Sequence, residues 1–64
     1  MRYRTRELCI VERDECADWC YANDVKFQEI KISMPTTFWI SFNLDNDNLL
    51  TYAKLKWDAR DLEQ

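Results

Sequence analysis

Thr37-Phe38-Trp39-Ile40-Ser41-Phe42-Asn43-Leu44, then Asp45-Asn46-Asp47-Asn48, then Leu49-Leu50-Thr51-Tyr52-Ala53-Lys54-Leu55-Lys56-Trp57 is the stretch that decides the fold. Phe38, Ile40, Phe42 and Leu44 alternate with Thr37, Trp39, Ser41 and Asn43, the period-two pattern of a half-buried strand. The second run also alternates, with Leu49, Thr51, Ala53, Leu55 and Trp57 on one parity. Asn and Asp tolerate tight turns where glycine is missing. Together these signals predict a C-terminal β-hairpin centred on Asn46-Asp47. In that register Phe42 faces Thr51 and Ile40 faces Ala53 on the inner side. Ser41 meets Tyr52, and Trp39 meets Lys54, on the outer side. A one-residue slip would set core against solvent on both strands.

Upstream, residues 25–34 are strand-like with a phase shift: Val25 and Phe27 share one parity, Ile30, Ile32 and Met34 the other. A bulge near Gln28-Glu29 would reconcile them, and Met34-Pro35 would end the strand. Residues 12–24 change to a 3.6 period, with Cys16, Trp19, Cys20 and Asn23 in one stripe. That predicts a short helix with Asp14 as N-cap, Trp19 as its anchor on the sheet and Asn23 as its stop. Leu8-Cys9-Ile10-Val11 favours a first strand over a helix beginning near Arg6. The expected fold is α+β: a small antiparallel sheet in β-α-β-β-β order, with one short helix packed on one face. Residues 1–64 form a single small domain, with 58–64 a tail or short helical turn.

Composition narrows the chemistry. The 64 residues include no His and no Gly, with 9 Lys+Arg against 12 Asp+Glu for a formal charge of −3. Phosphate-cradling glycine loops are therefore excluded, as are imidazole-based nucleophile pairs and Cys/His zinc sites. No Asp or Glu stands in an apolar setting that would tune it for acid–base work. The expectation is a protein that is not an enzyme and takes no cofactor. Asp45-Asn46-Asp47-Asn48 fails as a calcium loop, because the required Gly and Glu positions hold Leu50 and Lys56. Cys9, Cys16 and Cys20 are an odd number and too few for a disulfide framework. With no signal-peptide h-region and no bilayer-length apolar run, they read as reduced thiols in a cytoplasmic protein.

Charge and aromatics mark the candidate surfaces. Trp39, Tyr52 and Leu50, with Lys54 opposite Trp39, would form an outer aromatic patch on the hairpin, and Trp and Tyr are enriched at interface hot spots. Residues 12–24 carry −4, and Asp14, Glu15 and Asp18 would offer an acidic helix face to a partner's basic groove, such as that of a nucleic-acid-binding enzyme. These features predict a protein-binding module, an inhibitor or adaptor. A homodimer through the same face is the other occupant that so small a core invites. The alternative is a nucleic-acid module with Arg2, Arg4 and Arg6 on phosphates and the aromatics stacking on bases. In type alone, tiny acidic α+β proteins with an aromatic sheet face resemble phage-encoded inhibitors and accessory factors that block a host or defence enzyme. No motif carries a residue across from them.

Overall fold

The computed structural model describes residues 2–32 and 37–62. Its elements are β1 (Arg2–Arg4), α1 (Ile10–Ala22), β2 (Phe27–Ile32), β3 (Thr37–Asn43), α2 (Asp47–Trp57) and β4 (Arg60–Asp61). The strands form one antiparallel sheet in the order β2-β3-β1-β4. Element order and strand order together are those of the split-βαβ arrangement. The α+β class and the antiparallel sheet stand as read from the sequence. The element order is corrected to β-α-β-β-α-β.

β3 behaves as its alternation requires: Phe38, Ile40 and Phe42 are buried against the helices. The predicted second arm of the C-terminal hairpin is instead helix α2. Residues 49–57 contain both periods, and the helical one wins. Leu49, Leu50, Ala53 and Trp57 line one helix face against the core, while Leu55, required inside by a strand, stands 84% exposed. Local chemistry agrees with the helix. The Asn46 side chain accepts from the Asn48 and Leu49 amides at 2.9 and 3.2 Å, capping α2. Lys54 and Lys56 sit in the last turn, where cations complement the helix dipole. Asp58 then takes the left-handed conformation (φ 53°) and ends the helix, a position that usually goes to glycine.

The hairpin of this fold is β2–β3. Its register runs without interruption from Phe27↔Phe42 to Ile32↔Thr37, so the expected bulge at Gln28-Glu29 is absent. The phase shift has a different cause. Phe27 packs beneath the helices, whereas Ile30 and Ile32 share the opposite side with Trp39 and Thr37. The predicted Met34-Pro35 turn lies outside the described residues.

α1 begins at Ile10, earlier than read. Cys9 is its N-cap, in a reciprocal box with Glu12, and Asp14 is not the cap. Asn23 does end the helix, donating from Nδ2 to the Trp19 carbonyl at 2.8 Å. Trp19 is the anchor it was read to be. Its ring meets Phe42 and Trp57 edge-on, with centroids 6.2 and 5.1 Å away, and stacks on Tyr52 at 5.5 Å. Both helices thus cover one side of the sheet. Residues 58–62 are no tail: Arg60 and Asp61 pair with Arg4 and Tyr3 as β4.

Candidate binding surface

Among the described residues, no helix covers the other side of the sheet. Register assigns to it Arg2 and Arg4 from β1, Gln28, Ile30 and Ile32 from β2, Trp39 and Ser41 from β3, and Arg60 from β4. Trp39 is half-buried at its centre, directly across from Ile30, which is 44% exposed. The Arg4 guanidinium lies over the Trp39 ring, 4.3 Å from its centroid. Such a contact holds the long side chain flat and leaves its edge N–H groups available. Arg2 donates from Nη2 to the Ser41 hydroxyl at 3.4 Å. Every charged residue at a strand position of this face is arginine. The strand carboxylates, Glu29 and Asp61, fall on the other parity.

Beside Trp39 the face dips into an open cleft of about 510 Å³ between Arg4, Arg6 and Arg60, with Asp58 and Asp61 at its rim. Arg60 pairs with Asp58 at 3.1 Å on the exposed edge of that cleft. The result is a small apolar centre, Trp39 and Ile30, flanked by planar cations. That composition suits interface recognition.

The remaining predicted site residues are dispersed. Tyr52 is on α2, on the helix side, stacked on Trp19 and not near Trp39. Leu50 packs partly buried against the core. Lys54 reaches toward the Tyr3 ring, 6.0 Å from its centroid, so the cation beside Trp39 is Arg4. Asp14, Glu15 and Asp18 are exposed on α1, on the side of the sheet away from Trp39. The aromatic centre and the acidic helix therefore cannot meet one flat partner surface together. Two members of the face were missed. The expected bulge at Gln28-Glu29 puts Ile30 on the same face as Phe27, and Arg60 falls in the expected tail. Its parity relative to Trp39 is the signal that could have found Ile30.

Arg6 leaves the arginine row. Its guanidinium forms a two-pronged pair with the Glu12 carboxylate, which also accepts from the Cys9 amide at 3.4 Å. The Arg6 hydrogen bond, with the Cys9 amide assisting, lowers the Glu12 pKa to about 2. A carboxylate depressed in the folded state stabilises above its unfolded pKa, near 4.3. That contribution is lost as pH falls from about 4.5 toward 2. The pair is solvent-accessible, so its worth is no more than about 1 kcal/mol. Glu12→Gln keeps a capping-box side chain while removing the charge. Urea midpoints should separate wild type from Glu12→Gln at pH 6 and converge near pH 2. A pH-independent difference would assign the effect to packing.

The cysteines fit their reading as small buried groups in part. Cys16 and Cys20 are fully enclosed one helical turn apart, while Cys9 is exposed. The hydrogen bond between Cys16 and Cys20, together with burial, pushes the Cys16 thiol up, so it stays protonated. Among the described residues no three His, Cys, Asp or Glu side chains cluster as metal ligands. No helix among them is long and apolar enough to cross a membrane. No protein-family model, curated protein or solved structure matches this chain.

Proposed function

We propose that this chain is a non-enzymatic protein-binding module, an inhibitor or adaptor, and that the open sheet face is its docking surface. The observation that supports this reading is Trp39, half-buried at the centre of a face that no described helix covers, with Arg4 stacked on it and the exposed Ile30 beside it. The partner surface would bring an apolar spot to Trp39 and Ile30, and carboxylates to Arg2, Arg4 and Arg60. Asp14, Glu15 and Asp18 would serve a separate contact with a basic groove, on the opposite side of the molecule.

The same arginines and Trp39 also suit single-stranded nucleic acid. Charge weighs against it: the chain is net −3, where nucleic-acid modules are typically basic. The face also offers one stacking ring, already covered by Arg4. The test is capture from host lysate with and without nuclease, using wild type and Trp39→Ala. A nuclease-resistant protein partner is expected, with affinity lowered by about 2 kcal/mol, roughly 30-fold, in Trp39→Ala. The variant should keep the wild-type urea midpoint closely, because Trp39 lies outside the core cluster. Capture that vanishes with nuclease would establish the nucleic-acid reading. A folded variant with unchanged partner affinity would remove Trp39 from the surface.

A further inference from the structure

We propose that two copies of this chain associate edge to edge through β2, in one specific register centred on Ile30. β2 is the outer strand of the sheet and, among the described residues, pairs only with β3, which leaves one edge of its six residues, Phe27–Ile32, without a described partner strand. The opposite edge strand, β4, has two residues. Unpaired edges of this length invite another strand. β2 contains no proline and no bulge, and Gln28, Glu29, Ile30 and Lys31 are all exposed. Its edge charges, Glu29 and Lys31, are of opposite sign, so they guard against strands in most registers but complement a second copy in one.

Symmetry selects the partner and the register. When an antiparallel pair extends one continuous sheet about a two-fold axis, residues opposite each other share a face, so the axis must pass through a residue. With the axis at Ile30, Glu29 stands opposite Lys31 of the second copy and Lys31 opposite its Glu29. On the open face Ile30 meets its own counterpart, and Gln28 meets Ile32. With the axis at Glu29, two carboxylates oppose each other; at Lys31, two ammonium groups do. With the axis at Gln28, Phe27 faces Glu29 and Lys31 pairs with no charge. Directly opposed like charges destabilise a ladder and opposite charges support it, so of these four registers only the one at Ile30 sets opposite charges against each other. Glu29 already accepts from Arg13 at 2.7 Å, and a carboxylate with two oxygens accommodates Lys31 as well. The assembled face would carry a continuous apolar band, from Trp39 through both Ile30 side chains to the second Trp39.

The pairing area is that of one short strand, below the roughly 1,200 Å² of standard stable interfaces, so association is concentration-dependent. Sedimentation of the full chain should show the mass rising from 7.8 kDa toward twice that value as concentration increases. Lys31→Glu, which sets Glu against Glu29 at both positions, should hold the mass at that of the monomer. Glu29→Lys combined with Lys31→Glu should restore the rise. Crosslinking reads the register independently of stability. On a Cys9→Ser background, Ile30→Cys places two thiols directly across the axis, at the 4.5–5.5 Å Cα spacing of facing antiparallel residues that a disulfide spans. Oxidised glutathione, accepting two electrons and two protons, should then give a covalent dimer from Ile30→Cys. Gln28→Cys should give several-fold less, because its counterpart is Ile32.

Monomeric mass at all concentrations in folded protein would overturn the proposal. So would self-association indifferent to Lys31→Glu, or equal crosslinking from Gln28→Cys. These readouts need no docking partner and are separate from the Trp39 test.

Discussion

Trp57→Ala is expected to leave the chain largely unfolded at 25 °C. The Trp57 side chain is enclosed at the end of α2, edge-on to Trp19 at 5.1 Å and to Tyr52 at 5.6 Å. Its carbonyl accepts from the Arg6 amide at 3.0 Å, joining the end of α2 to the chain leaving β1. Removing a buried indole typically costs about 3–5 kcal/mol, the lost transfer energy plus the cavity it leaves. A single core in a chain of this size rarely supplies more than about 3–5 kcal/mol in total. The loss therefore consumes most of the stability present. Urea titration followed by far-UV circular dichroism should show the cooperative transition of the wild type collapse toward zero denaturant. A midpoint within a few tenths molar of wild type would show that the core closes without Trp57. The contrast with Trp39→Ala is informative, since both remove an indole but only one removes it from the core.

Lys54→Pro should lower stability by about 3 kcal/mol or more. Lys54 lies inside α2 and is exposed. Proline there deletes the amide that donates to the carbonyl four residues back, and its ring collides with that carbonyl. In the predicted hairpin the same residue sits on the outer face of the second arm, where proline removes no helical hydrogen bond. Lys54→Ala is the control. It removes the charge and the modest contact with Tyr3 while keeping a strong helix former, so its urea midpoint should stay near wild type. A large drop for Lys54→Pro with little change for Lys54→Ala assigns the cost to the helix backbone. Equal effects would implicate the ammonium group.

The two candidate surfaces differ in how they were reached. Trp39 was legible because β3 alternates cleanly, and its side-chain parity does not depend on which strands flank it. Tyr52, Leu50 and Lys54 were joined to Trp39 only by the assumed hairpin, and they parted from it when residues 49–57 became a helix. Arg60 needed the reverse step, since it reaches Trp39's face only by pairing with Arg4, far from it in sequence, whereas Ile30 follows once β2 pairs with β3 without a bulge.

Local chemistry determined the α+β class, the alternation of β3, the Trp19 anchor of α1 and its stop at Asn23. These features rest on neighbours within a turn or a strand, where periodicity and capping act directly. Tertiary structure decided what β3 pairs with. β2 takes one of its edges through the hairpin and β1 takes the other, with Tyr3 opposite Phe42. No edge of β3 remains for residues 49–57. Their second, helical period then buries Ala53 and Trp57 against the same side of the sheet that α1 covers, and the opposite side is left open around Trp39.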